Sequence, residues 1–266
     1  MEVCPRHVIK SFSEIYAWKH LDTNKNNIIF LDIDGTLIRP QSKFMFFHRQ
    51  NQLEILKQFR DDGHIKSSDN QLNKFLSYVR SLYYYEELVE GNIKNILDDL
   101  YKKKAIIVGL TARKSLIADQ TNRMLLSHHI DFGSLSGLAD IEMKGDQGEL
   151  MTDGIFYTCN IDPKAEYIEP LIEQIRLIHN LEGPINAYHF DDSYSEIDAY
   201  ETTQASQNNL TNMCITPCHY ICHSERVTNM LDHFEDDIYL EVLEEVKELL
   251  WLYITKKHNN NLKPAL

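Results

Sequence analysis

The sequence predicts a doubly wound α/β fold, a parallel sheet with helices on both faces, carrying a helical insertion and further helices at its C-terminal end. Three observations predict it. Ile28, Ile29, Phe30, Leu31 and Ile33 form a nearly continuous apolar run, the pattern of a strand buried on both faces of a parallel sheet, and residues 105–110 (AIIVGL) and 185–190 read as two further buried strands. The second run leads through Thr111, Ala112 and Arg113 into a helical pattern over residues 115–127, the strand-then-helix order of such sheets. The segment Asp32-Ile33-Asp34-Gly35-Thr36 ends the first run, at the edge where open α/β sheets bind ligands.

The remaining elements follow in order. Residues 9–20 suggest one short helix, and residues 22–27 (DTNKNN) a turn. Residues 41–104, with Leu53, Ile55, Leu56 and Phe59 at helical spacing, read as a helical insertion between the first two strands. Glycines and short apolar stretches over residues 131–159 end in Gly154-Ile155-Phe156-Tyr157-Thr158, a hairpin or irregular extension. Asp162 at the N-cap and Pro163 at the first helical position open a helix that Pro170 should bend. A fourth strand is expected at 213–216, and helix again after Pro217. Leu240, Val242, Leu243, Val246, Leu249, Leu250 and Tyr253 mark a C-terminal helix with an acidic face of Glu241, Glu244, Glu245 and Glu248. The expected organisation is a core of 27–40 and 105–217, an insertion of 41–104 and a C-terminal helical extension of 218–266.

Composition narrows the function classes. The 266 residues are 43% hydrophobic and 10% aromatic, ordinary for a globular chain with a sizeable core. With 27 basic against 40 acidic residues, the net charge of -13 argues against a surface built for nucleic acid or anionic lipid. A phosphate group must then be met by local side chains or a metal ion. The first twenty residues carry charges throughout and do not read as a secretory signal peptide. No stretch approaches the roughly 20 apolar residues of a transmembrane segment. Five cysteines, Cys4, Cys159, Cys214, Cys218 and Cys222, fit a reduced compartment better than a disulfide framework. Cys214, Cys218 and Cys222 with His219 and His223 match no common zinc spacing, so packing is their expected role.

The chemistry concentrates at residues 32–36. Alternation along a strand puts Asp32 and Asp34 on one side, and Gly35 frees the backbone to turn. Two converging carboxylates can hold a hard divalent cation, one attacking while the other handles protons.

Reading IIFLDIDGTLI, this segment resembles the haloacid dehalogenase (HAD) superfamily, whose phosphatases share the pattern DxDGT after an apolar strand. Three further segments stand in the superfamily's order: Thr111 ending AIIVGLT, Lys164 in NIDPKAEYIEP, and Asp191-Asp192 ending AYHFDD. The resemblance implies a Rossmann-like parallel sheet and a Mg2+-dependent phosphomonoester hydrolase working through an aspartyl-phosphate. It implies Asp32 as nucleophile and Asp34 as general acid and base, with Thr111, Ala112 and Lys164 binding the phosphoryl group. It implies Asp32, the backbone carbonyl of Asp34, Asp191 and Asp192 around the metal, and the 41–104 insertion as a small helical cap. Phosphoryl transfer needs positioning and charge stabilisation above all, which suits a nucleophile beside a lysine and a cation. Bland alternatives are an N-cap for Thr111, a solvated first-turn lysine for Lys164 and helix capping for Asp191 and Asp192. Arg113 is open between substrate contact and salt bridge. Glu196, four residues after Asp192, is either a further metal-site acid or the first-turn acid of a helix.

Phe44-Met45-Phe46-Phe47 and Tyr83-Tyr84-Tyr85 in the insertion are aromatic clusters for core packing or for contact with an aryl phosphate such as phosphotyrosine in a protein. The Asn- and Lys-rich style without a signal peptide resembles effector proteins of intracellular bacteria such as Legionella, and implies a cytoplasmic protein or one delivered into a host cell. Three classes stay open: a phosphatase acting on protein phosphotyrosine or on small sugar or nucleotide phosphates, a phosphotransferase such as a phosphomutase, and a binding or regulatory module whose activity is secondary.

Overall fold

A computed structural model describes residues 2–3, 6–17, 25–40, 42–46, 49–80, 86–159, 161–203, 213–222 and 239–261. Its centre is strand β3 (Asn26–Leu31), flanked in parallel by β6 (Ile106–Thr111) and β10 (Ile185–Asp191). Beyond β10 lies β11 (Met213–Tyr220), whose outer edge carries both β1 (Glu2–Val3) and β2 (His7–Ile9), all parallel. Beyond β6 lies β9 (Ile155–Tyr157), also parallel, followed by β8 (Leu150–Thr152) and β7 (Met143–Lys144) in antiparallel pairing. The order is β1-β11-β10-β3-β6-β9-β8-β7, and β4 (Ile38–Pro40) pairs with β5 (Glu86–Leu88) in a separate two-stranded ribbon.

Period-two alternation sends neighbouring residues into two separate cores. Ile29, Leu31, Ile107, Tyr188 and Phe190 pack on one face, with Ile93, Ile96, Leu97 and Leu100 of α3 (Ile93–Lys102) and Leu125 of α4 (Ala118–Ser127). Phe132 of the short α5 (Phe132–Ser136) joins them. Ile28, Phe30, Val108, Leu110 and Ala187 pack on the other face, with Ile168, Ile172 and Ile175 of α6 (Ala165–His179) and Tyr200 of α7 (Tyr194–Thr203). Helices therefore cover both faces, as the apolar runs predict. The helix α6 continues through Pro170.

Two expectations are corrected at the edge of the sheet. Residues 9–17 do not form the α-helix expected over 9–20, of which 18–20 lie outside the described residues: β2 pairs with β11, and a 3-10 helix at Phe12–Ala17 places Phe12 and Ile15 in the core at that helix's three-residue repeat. Residues 218–220 are strand and not helix, because β11 gains a second parallel partner there in β2. Pro217, which has no N–H to give, falls in the gap between the pairings with β1 and β2.

The chain divides into two compact units, one comprising residues 1–39 and 88–224 and the other residues 40–87 and 225–266. The inserted unit ends at Glu87 and not at Lys104, since α3 packs its apolar face on the sheet. The second unit contains α1 (Arg49–Asp61), α2 (Asp69–Arg80) and the C-terminal helix α8 (Tyr239–Asn261). Ile55, Leu56 and Phe59 meet Leu72, Phe75 and Leu76, and Val242, Leu243 and Val246 of α8 complete the same core. The helix α8 is thus not a separate extension. Glu245 of α8 accepts hydrogen bonds from the Ser42 hydroxyl (2.8 Å) and the Phe44 N–H (3.1 Å), tying the helix to the start of the insertion. Phe44 is fully buried in this core; Phe47, Tyr83, Tyr84 and Tyr85 lie outside the described residues. No helix among the described residues is long and apolar enough to cross a membrane.

Leu243 is 2% exposed and Leu240, three residues earlier, 68%. Leu243→Ala should destabilise the unit by about 2–5 kcal/mol through the cavity it leaves, while Leu240→Ala stays within about 0.5 kcal/mol. Urea unfolding of both variants checks this, and equal losses would contradict the packing of α8.

Candidate functional site

Asp32 directly follows β3, and its N–H donates to the Phe190 carbonyl (2.9 Å), extending the pairing with β10 by one residue. Asp191 is the last residue of β10. By alternation both belong to the face of Ile28, Phe30 and Ala187, the face that α6 covers. Lys164 stands at the N-cap position of α6 with its side chain buried, and its ammonium donates to Asp32 Oδ1 and to Asp191 Oδ2 (2.7 Å). The helix begins at Ala165, so Asp162 and Pro163 precede it and do not form its cap and first turn. Glu196, in the first turn of α7, accepts from the Lys164 backbone N–H at 2.8 Å. Glu196 is therefore a first-turn acid that fixes the lysine's backbone, and it is not among the clustered carboxylates.

The Asp-Gly-Thr turn brings in a third acid. Gly35 has φ +80°, and a Cβ built there would sit 2.1 Å from Asp192 Oδ2, so a side chain would collide with the acid. The Gly35 N–H donates to the Ile38 carbonyl (2.8 Å), closing the turn, and the Asp192 N–H donates to Thr36 Oγ1 (3.1 Å). Only a residue tolerant of positive φ and lacking a Cβ suits this position. Carboxylate oxygens of Asp32, Asp191 and Asp192 consequently lie within 4.8 Å of one another.

Asp34 is not part of that group. Its side chain is 55% exposed and is gripped by Arg113, with Nε donating to Oδ2 (2.8 Å) and Nη2 to Oδ1 (2.7 Å). Thr111 ends β6, fully buried, and its Oγ1 accepts from the Arg113 N–H (3.1 Å). Ala112 lies between them, half-buried. Arg113 is thus in a salt bridge, which the sequence alone left undecided.

Burial and charge pull the site in opposite directions. Burial works against the Lys164 ammonium, but Asp32 and Asp191 outweigh it and hold the lysine above its ordinary value. Burial would raise Asp191, yet Lys164 prevails and holds it below the usual carboxylate range. Asp32 goes the other way: burial, with Asp191, Asp192 and Asp34 nearby, lifts it well above its ordinary value against the pull of Lys164. Asp192 is pushed up to about 7, first by burial and then by Asp191.

One supporting residue was not singled out in the sequence. His189 lies two residues before Asp191, on the same face of β10, and is completely buried. Its Nδ1 meets the Tyr200 hydroxyl at 3.0 Å, while Nε2 is 3.4 Å from Asp191 Oδ2, beyond a good hydrogen bond. Burial keeps it below its ordinary value, hence neutral. Strand alternation counted back from Asp191 could have found it. The cysteines gather no metal site among the described residues: Cys214 is disulfide-bonded, which departs from the expected reduced set, Cys218 is a buried free thiol, and His219 Nε2 lies 3.2 Å from the Asp192 carbonyl.

No curated protein matches the sequence. Among solved structures, one assigned as a beta-phosphoglucomutase from Thermotoga maritima is similar over 78% of this chain and 99% of that chain, at 14% identity and a TM-score of 0.41. A family model described as "Protein of unknown function (DUF2608)" matches residues 8–240, most of the chain, and the protein therefore belongs to that family.

Proposed function

We propose that this chain is a Mg2+-dependent phosphomonoester hydrolase that forms an aspartyl-phosphate on Asp32. The observation that carries the proposal is the grouping of Asp32, Asp191 and Asp192 within 4.8 Å, with the buried Lys164 ammonium on two of them, at the carboxyl ends of adjacent parallel strands. The donor set fits such an ion: three carboxylates offer hard oxygen ligands, and burial followed by Asp191 pushes Asp192 up to about 7, a cost to its ionised form that a bound cation would relieve. Bound Mg2+ would supply positive charge against the phosphoryl oxygens and the crowded acids.

Asp32 Oδ1 is held by Lys164, which leaves Oδ2 to attack phosphorus. As that bond forms and the ester P–O bond breaks, Asp34 gives its proton to the leaving oxygen. In the second half Asp34 takes a proton from water as the water oxygen bonds to phosphorus. The Asp32–phosphorus bond breaks, and inorganic phosphate leaves. Lys164 neutralises charge on nucleophile and phosphoryl group, and the Thr111 hydroxyl, accepting from Arg113, keeps its O–H to donate to a phosphoryl oxygen. Half-exposed Asp34 stands where leaving group and water can reach it.

Hydrolysis of p-nitrophenyl phosphate tests this directly. The wild type should turn over only with Mg2+, and Asp32→Asn should lower kcat by about 10³-fold or more. Undiminished turnover in Asp32→Asn would refute the nucleophile.

The raised Asp192 gives a second expectation, for the cation-free protein. Its folded value of about 7 exceeds the unfolded value of about 4, so its stabilising contribution is present below about pH 4 and is lost as pH rises through about 7. Between those limits the cation-free melting temperature should fall, by roughly 2 °C or more. Asp192→Asn should flatten the slope, and saturating Mg2+ should restore the melting temperature near neutrality. Thermal melts in a chelator, then with Mg2+, check it; identical slopes for variant and wild type would contradict it.

A further inference from the structure

We infer that Arg113 is a positioning residue for Asp34: it holds the plane of that carboxyl toward the leaving-group oxygen, an assignment that rests on the phosphohydrolase function proposed above.

A carboxylate in the first turn after a strand, 55% exposed and followed by a glycine at φ +80°, has little around it to select one rotamer. Arg113 supplies the selection. Its side chain is only 5% exposed, and the guanidinium addresses both oxygens of Asp34 through Nε and Nη2 at 2.8 and 2.7 Å. A bidentate fork fixes the direction and also the plane of its partner, which a lysine cannot do. The fork is itself anchored: Nη1 donates to Thr121 Oγ1 (3.2 Å), a fully buried side chain of α4. The Arg113 backbone N–H meanwhile donates to Thr111 Oγ1 (3.1 Å). One residue thereby sets both Asp34 and the hydroxyl expected to face the phosphoryl group.

Stability does not account for this arrangement, since ion pairs with an exposed partner contribute little. Nor is the guanidinium free to act as a phosphate ligand while three of its nitrogens are engaged. In the first half-reaction Asp34 loses its proton to the leaving oxygen as the ester P–O bond breaks and the Asp32–phosphorus bond forms. In the second it regains a proton from water as that water bonds to phosphorus and the Asp32–phosphorus bond breaks. Arg113 keeps at least one oxygen of Asp34 throughout, so the acting oxygen stays in register with the phosphoryl group.

The test uses the full chain with Mg2+ and two aryl esters of one shape. p-Nitrophenolate departs with little need of a proton, whereas phenolate needs one. Arg113→Met should lower kcat on phenyl phosphate by about 10–100-fold, and on p-nitrophenyl phosphate much less, with KM within about 3-fold for both. Arg113→Lys should recover part of the loss. In an Asp34→Asn background the added Arg113→Met should change little. Thr121→Val, which removes the anchor and leaves Arg113 in place, should show the same ester dependence more weakly, and it carries the comparison should Arg113→Met fail to fold. Equal losses on the two esters, a loss confined to KM, or full additivity with Asp34→Asn would overturn the assignment. If Asp32→Asn is inactive while the Arg113 variants treat both esters alike, Asp32 keeps its role and the assignment of Arg113 alone fails; an active Asp32→Asn removes both.

Discussion

The ammonium of Lys164, buried between Asp32 and Asp191, is the interaction on which the rest of the site depends. Two adjacent parallel strands end in carboxylates on one face of the sheet, and a third acid arrives from the following turn. At separations within 4.8 Å, each pair of ionised carboxylates would repel by about 3.5 kcal/mol or more at an effective dielectric constant of about 20. Without a countercharge the acids would stay protonated or the strand ends would part. Lys164 resolves this for Asp191, which is held ionised, but only partly for Asp32 and Asp192, whose values stay high. A single positive charge is too little for three acids. That imbalance, added to the cost of burial, is what the proposed divalent cation would relieve.

The surroundings serve to keep that ammonium in place. A buried pair that loses one partner costs about 3–5 kcal/mol, so Lys164 cannot be loosely held. Its backbone is fixed by Glu196 from α7, and its helix is bonded to the sheet through Ile168, Ile172 and Ile175. Under the acids, His189 and Tyr200 fill the layer behind Asp191 with neutral polar groups. On the opposite side of the turn, Gly35 gives Asp192 the room a Cβ would take. Asp34 is governed separately by Arg113, which divides the acids into a buried cluster and one exposed, oriented carboxylate.

Much of the fold is legible in the sequence because buried parallel strands leave a direct imprint. Ile28 to Leu31 and Ile107 to Leu110 carry no polar side chain on either alternation, as helices covering both faces of a parallel sheet require. The elements misread are those whose pattern is weak or shared. Residues 7–9 are too few to show alternation, and Phe12 and Ile15 repeat at a spacing that α- and 3-10 helices both satisfy. The limits of the insertion are not legible in the sequence because α3 is amphipathic like the helices before it. An apolar face seen in sequence does not state which core receives it.

The sequence by itself determined that Asp32 and Asp191 end buried strands, that a glycine follows Asp34, and that Lys164 lies at the start of a helix. These are local facts, set by the period of a strand and the conformations a residue can adopt. Only the tertiary structure decided that Lys164 spans from residue 164 to Asp32, that Arg113 closes on Asp34, that His189 lies behind Asp191, and that the C-terminal helix completes the core of the inserted unit. Each of those contacts joins residues from separate elements, or a side chain to its surroundings. They depend on the order of strands and the facing of helices, which minimise exposed apolar area over the whole chain and are written at no single position.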